Sequence, residues 1–217
     1  PIERVISYFH FVRRTPAHYC HDQVQSNNMS LGEFVESKID RMVDNGQSRL
    51  LGGLETGHEL KFGECPEELL QTAKKNLREN IAVVGLTEEF DATLLLLKRY
   101  FGWHQLFYTR QNVSSNRLHR DELPKSTSDA IREVNQLDLD LYQTAETLFR
   151  ESLSEQGDAF DQAVRSFQRL NRFFTPLTAI YLGCRRKYHA ARWRIQRTSP
   201  GAIVRRVMPQ RFDNHLL

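Results

Sequence analysis

The run Ile81-Ala82-Val83-Val84-Gly85-Leu86 constrains the fold most, because it is short, rich in β-branched residues and apolar throughout. Alternating apolar and polar residues mark a strand with one wet face, whereas an unbroken apolar run of this length marks one covered on both. Helical patterns flank it. Pro66-Glu67-Glu68 opens a helix to about Glu79, with proline suited to the first turn and the acids facing the positive end of the helix dipole. On the other side Thr87 is expected to cap a helix whose first turn holds Glu88 and Glu89, with Phe90, Leu94, Leu97 and Phe101 on its inner side. Helix, strand, helix in that order predicts an α/β layer arrangement.

Elsewhere the period is helical. Pro1 suits a first turn, and Val5, Ile6, Phe9 and Val12 keep one face apolar through about Arg13. Residues Thr15 to Asn28 are polar and aperiodic and read as a surface loop. Ser30-Leu31-Gly32-Glu33 has the form of a capping box opening a helix toward Met42, and Asn45-Gly46 breaks that helix. After an arginine-rich loop from Thr109 to Pro124, Ser128 is expected to cap a helix through Leu137. Leu141, Ala145, Leu148 and Phe149 continue the stripe; beyond Gly157-Asp158 another helix carries Phe160, Val164, Phe167 and Phe174.

No stretch approaches the roughly 18 apolar residues of a membrane span. The chain starts at Pro1 without a Met, so its true amino terminus is expected upstream, and a signal peptide or anchor there stays open. Three cysteines, Cys20, Cys65 and Cys184, are too few and scattered for a disulfide framework and read as buried or free thiols. The net charge of +3 is unevenly spread. Residues 185–217 hold nine Lys/Arg and one acid, a balance of +8, against 21 bases and 26 acids before them, a balance of −5. Such a segment meets an anionic partner or is simply solvated.

Three segments carry chemistry. In Pro1-Ile2-Glu3-Arg4-Val5-Ile6-Ser7-Tyr8-Phe9-His10-Phe11, Ser7 lies in the first two turns of a helix, where a hydroxyl near unpaired amides can donate to a phosphate oxygen. Arg4, one turn earlier, can touch the same phosphate or pair with a carboxylate that orders the helix. The second is Ala73-Lys74-Lys75-Asn76-Leu77 followed by Val84-Gly85-Leu86-Thr87-Glu88-Glu89-Phe90. The third, Tyr108-Thr109-Arg110-Gln111-Asn112-Val113-Ser114-Ser115-Asn116-Arg117 and on to Leu123-Pro124, joins an aromatic ring, hydroxyls and a guanidinium, groups that suit a nucleotide.

As an ordered set over about Pro1 to Ser154, these segments resemble PAPS-dependent sulfotransferases, notably carbohydrate enzymes of the heparan and uronyl 2-O type and bacterial relatives. The resemblance implies a P-loop-containing nucleotide-hydrolase-like three-layer α/β fold, here its mostly helical carboxyl-terminal portion, with residues 1–184 in the sulfotransferase domain and 185–217 a basic tail. It implies that Arg4, Ser7, Tyr108, Asn112, Ser114 and Arg117 bind the donor PAPS, with PAP as product, and that a carbohydrate hydroxyl is the acceptor. The 5′-phosphosulfate loop, an Arg two positions before Pro1 and the catalytic base are expected upstream, so no residue here is assigned as catalytic and the chain alone is not expected to turn over. The compartment would be cytoplasmic in a bacterium and the Golgi membrane in a eukaryote. Polyanionic glycans would suit Arg13, Arg14 and the tail; nucleic acid is not the expected partner, despite Tyr188 and Trp193 among the tail's arginines.

The bland readings are expectations too. His18-Tyr19-Cys20-His21 offers three possible ligands without a second cluster, so no metal is expected. His10 is expected to pack beneath the site, and Asp138 and Asp140 to mark a helix start. The reading from another class is a non-catalytic anion-binding module that recruits acidic polysaccharide or nucleic acid through the basic tail.

Overall fold

Apolar residues at helical spacing decide the architecture. The computed structural model describes residues 1–53, 60–104, 106, 108 and 120–174, and the regular structure among them is helical. Helix α1, Ile2–Arg14, buries Ile2, Val5, Ile6, Phe9 and Val12, one stripe along its length. That stripe closes a core with Val24 of α2 (His21–Ser26), Leu31, Phe34 and Val35 of α3 (Leu31–Glu36) and Ile131 of α7 (Lys125–Glu133). A second core joins Leu70, Ala73 and Leu77 of α5 (Glu67–Glu79) to Leu141 of α8 (Gln136–Ser154), and α5 also packs on the short α4 (Gly46–Leu51). Helix α6 is Phe90–Phe101, and residues 158–174 form a ninth helical segment, α9. No described helix is long and apolar enough to cross a membrane.

The contacts divide the chain into two units, one of Pro1–His104 with Asn112–Val164 and one of Gln105–Gln111 with Arg165–Leu217. The expected boundary at residues 184 and 185 lies outside the described residues, as do Cys184, Tyr188 and Trp193.

Several expectations give way to the structure. No strand occurs among the described residues, and the α/β layering is not found there. Residues 81–86 are irregular, and Ile81 is 41% exposed rather than covered on both faces. The Thr93 hydroxyl accepts from the Leu86 amide at 3.1 Å and donates to the Leu86 carbonyl at 3.2 Å, so this segment satisfies backbone groups locally instead of through a ladder. Helix α6 starts at Phe90 behind Glu89, not at a Thr87 cap. Its buried residues are Ala92, Leu95 and Leu96, while Phe90 and Phe101 are exposed. A helix, α2, stands inside the expected loop from Thr15 to Asn28. Helix α7 starts behind Pro124 rather than at Ser128, and it ends at Glu133 instead of running to Leu137, because Asn135 begins the next helix.

The capping box is present. Glu33 N–H donates to Ser30 Oγ, while the Glu33 carboxylate accepts from the Ser30 amide and hydroxyl, both at 2.7 Å. The helix it opens ends at Glu36 rather than near Met42, and a separate 3-10 turn, Arg41–Val43, follows. Hydrogen bonds from Ser30 hold the Glu33 carboxyl below its ordinary 4.5. A carboxyl whose folded pKa is depressed contributes stability above its unfolded value and loses it as the pH falls through the folded value. The stability difference between the parent and Glu33→Gln, measured by urea unfolding, is therefore expected to shrink as the buffer goes from about pH 6 to about pH 3.

Candidate functional site

The geometry around α1 is set by two helix beginnings that cap each other. Asn45 stands in the left-handed region (φ 50°, ψ 41°) as the N-cap position of α4, a conformation Asn tolerates better than most residues. Its side-chain oxygen accepts the Leu137 and Asp138 amides of the first turn of α8, at 3.0 and 3.2 Å. In return Asp138, fully buried, accepts the Gln47 and Ser48 amides of the first turn of α4, at 3.0 and 2.7 Å, and the Ser48 hydroxyl at 2.8 Å. Each helix thus satisfies amides that the other leaves without an intrahelical partner.

Arg4 joins α1 to this junction. One guanidinium nitrogen donates to the Met42 carbonyl at 2.8 Å; the other donates to Asn135 Oδ1 at 3.3 Å and lies 3.6 Å from the Asp138 carboxylate. Burial pulls the guanidinium below its ordinary range and Asp138 opposes the shift. Asn135, also fully buried, donates to the Val43 and Ile131 carbonyls, so α7, α8, the 3-10 turn and α1 share one polar node. Beside it Asp44 accepts from Arg49 at 2.6 Å, from the Asn45 side chain at 2.8 Å and from the Gly63 amide at 2.7 Å. Burial, followed by the Asp44 charge, pushes the half-buried Cys65 thiol up to about 11, which favours its protonated form.

A second anchor lies one turn along α1. The Tyr8 hydroxyl donates to buried Asp40 at 2.7 Å and lies 3.0 Å from His18 Nε2, and Asp40 also accepts the Met42 amide at 2.9 Å. Burial and then Asp40 push the Tyr8 phenol upward, which keeps it a donor. His18, Cys20 and Asp40 have ligand atoms within 4.8 Å of one another, the one such cluster among the described residues. His18 Nδ1, however, accepts the Cys20 amide at 3.2 Å, which leaves the proton of a neutral ring on Nε2, the nitrogen facing Asp40. As arranged, the cluster is a hydrogen-bond network; a metal on Nε2 would require that amide contact to be given up. His21 turns away, its Nδ1 2.9 Å from the Val12 carbonyl.

Among the expected site residues, Ser7 is exposed on α1, between the Arg4 and Tyr8 anchors. Side chains on a helix tilt toward its amino end, so the Ser7 hydroxyl leans toward the first turn, whose amides precede the first helical bond from the Val5 amide to the Pro1 carbonyl. Arg4, expected either to touch the phosphate or to pair with a carboxylate, lies 3.6 Å from the Asp138 carboxylate. Tyr108 belongs to the other unit, where its amide donates to Asn171 Oδ1 at 3.2 Å and its ring lies 6.3 Å from Phe167. Asn112, Ser114 and Arg117 lie outside the described residues. His10 is half-buried with its ring against Phe9, and Lys74 pairs with Asp140 at 3.0 Å. The spacing singled out none of Asp40, Asp44, Arg49 and Asn135. Asn45-Gly46 signals the junction only as a break and Asp138 only as a helix start, which it does mark.

Gly46 leaves room for the Arg4 guanidinium, since a Cβ there would stand 2.6 Å from one of its nitrogens. Gly46→Ala is expected to destabilise by about 1–3 kcal/mol through overpacking, and Asp138→Ala by roughly 3–5 kcal/mol, because the α4 amides and Arg4 lose their acceptor. Urea unfolding of both variants checks the order; a neutral Asp138→Ala would remove the junction from the account of stability.

Comparison with known proteins gives one consistent group. The chain is 32% identical over 139 residues to heparan-sulfate 6-O-sulfotransferase 1 of Homo sapiens, a match covering 61% of this chain and 33% of the relative. It is 31% identical over 138 residues to heparan-sulfate 6-O-sulfotransferase 1-B of Danio rerio, with the same coverage. The match to heparan-sulfate 6-O-sulfotransferase 2 of Gallus gallus is 31% over 136 residues, covering 60% of this chain and 33% of the relative. The chain spans about a third of the length of these curated relatives. No family model matches, and no solved structure matches. The similarity is thus to heparan-sulfate 6-O-sulfotransferases, over about a third of their length.

Proposed function

We propose that this chain forms the donor-holding part of a carbohydrate sulfotransferase with the sulfotransferase fold, in which Ser7 grips the 3′-phosphate of PAPS. The observation that carries the reading is the exposed hydroxyl on a helix immobilised at Arg4, three residues before it, and at Tyr8, the next residue. A hydrogen-bond donor that does not have to be ordered on binding loses little entropy there. The similarity to heparan-sulfate 6-O-sulfotransferases supports the same chemistry and a glycosaminoglycan as acceptor. Arg4 then acts as a positioning residue, while Tyr108, Asn112, Ser114 and Arg117 are the proposed contacts of the nucleotide's other groups.

In the transfer, the acceptor hydroxyl oxygen bonds to sulfur as the sulfur's bond to the 5′-phosphate oxygen breaks and PAP leaves. The hydroxyl proton passes to a base that none of the assigned residues supplies. As with phosphoryl groups, the protein's contribution is placement and charge stabilisation.

Ligand-induced stabilisation tests the reading. PAP is expected to raise the melting temperature of the chain by mass action on the folded state, and Ser7→Ala to weaken PAP by about 1–3 kcal/mol, the range for a lost hydrogen bond to a charged group. An unchanged PAP affinity in Ser7→Ala removes Ser7 from the site. No shift at millimolar PAP, with tight, salt-sensitive binding of heparin or DNA, would favour an anion-binding module based on the +8 segment at 185–217.

A further inference from the structure

The half of α9 that lies in the second unit, residues 165–174, carries three kinds of chemistry on three sides. Phe167 and Asn171, one turn apart, form the packed side. Phe167 is buried with the Tyr108 ring 6.3 Å away, and buried Asn171 accepts the Tyr108 amide at 3.2 Å. Arg165, Arg169 and Arg172 recur at the i, i+4 and i+7 spacing that keeps side chains on one face, and all three are exposed. Beside them Leu170 and Phe173, three residues apart and so neighbours on the helix surface, are 52% and 71% exposed. The Phe173 ring meets Phe174 edge-on, with centroids 5.3 Å apart and planes at 88°.

The cations of this face are uncommitted. None of the three arginines is in an ion pair or lies over a ring among the described residues, whereas Arg150 pairs with Glu89 and Arg99 lies over Phe160. The acids of α9, Asp158 and Asp161, stand in its first turn, where they suit the positive end of the helix dipole. Neither pairs with an arginine of the face. Beyond Asp161 the sequence has one sign, since residues 162–212 hold twelve Lys/Arg and no Asp or Glu.

Free guanidinium groups beside exposed apolar side chains, on a helix whose other side is already packed, match one surface in particular. An anionic bilayer offers phosphate and carboxylate headgroups to the arginines and, just beneath them, acyl chains to Leu170 and Phe173. Arginine stems lie along that boundary while their charged ends stay at the headgroups. A single-stranded nucleic acid would use the arginines and stack a base on Phe173, but Leu170 has no π face to offer it. A purely apolar partner would leave three charges unpaired.

We infer that this face of α9 docks on an anionic lipid surface, with Leu170 and Phe173 among the acyl chains and Arg165, Arg169 and Arg172 at the headgroups. The helix lies on the bilayer rather than crossing it, as no described helix is long and apolar enough to span. The docking is independent of the nucleotide site.

Sedimentation of the full chain with two kinds of vesicle tests this, one of phosphatidylcholine and one in which phosphatidylserine replaces part of the phosphatidylcholine. The chain is expected to sediment with the phosphatidylserine vesicles, to leave them as salt rises, and to stay in the supernatant with phosphatidylcholine alone. Arg165→Gln with Arg169→Gln is expected to weaken binding by roughly twentyfold, and Leu170→Ser with Phe173→Ser by about tenfold. All four positions are exposed, so melting temperatures are expected to match the parent, which separates loss of docking from loss of the fold. Arg78→Gln with Lys125→Gln, an equal change of charge at exposed positions elsewhere, is expected to bind as the parent does.

Failure to sediment with the phosphatidylserine vesicles overturns the proposal. So does parent-like binding by either the arginine pair or the apolar pair, which would place the attraction in other basic residues. Equal weakening by the Arg78 and Lys125 pair would reduce the effect to net charge and overturn it as well. Loss of single-stranded oligonucleotide binding in the apolar pair, with vesicle binding intact, would assign the face to nucleic acid instead.

Discussion

The buried carboxylate of Asp138 is the interaction on which the rest of the described structure depends. An isolated charge at full burial would be untenable, and this one is compensated by two backbone amides, a hydroxyl and a guanidinium. Because those donors come from α4 and α1 while the acid sits on α8, satisfying one charge brings three helices together. Asn45 returns the favour at the start of α8, so neither helix beginning is complete without the other. Apolar burial supplies most of the driving force, but it does not by itself choose one register of helices; a polar node bonded across α1, α4, α7 and α8 does.

That rigidity has a functional direction. Arg4 and Tyr8, four residues apart, lie near one face of α1 and both reach inward, which leaves the stripe of Glu3, Ser7, Phe11 and Arg14 in solvent. A binding surface built on an immobile helix has little conformational entropy left to lose. The hydroxyl proposed for the nucleotide is presented from this pinned element. The residues that pin α1, Arg4 and Tyr8, are thus distinct from the hydroxyl proposed to touch the nucleotide.

What was legible in the sequence is what depends on neighbours along the chain. The stripe of Ile2, Val5, Ile6, Phe9 and Val12, the Ser30-Glu33 box and the helix at Glu67–Glu79 are local patterns, and the structure has all three. Asn45-Gly46 read as a break, and it is one, but its use as a cap for a helix 92 residues away could not be read from spacing. The same holds for Arg4 with Asn135, 131 residues apart, and for Tyr8 with Asp40. The apolar run 81–86 misled because a strand is defined by its partner, and among the described residues the Thr93 side chain takes the Leu86 backbone groups instead. For the site, the exposure of Ser7 follows from the stripe beside it. The structural role of Arg4 does not, because its acceptors come from distant helices.

The most direct test of the central claim, that the immobilised α1 presents Ser7 to an adenosine bisphosphate, is a backbone amide NMR titration of the chain with PAP. The account predicts that the largest shifts fall on residues 2–8, with the Asn45 and Asp138 amides moving little because the junction is already formed. Shifts centred away from α1, with those of Ile2 to Tyr8 unchanged at saturation, would contradict it.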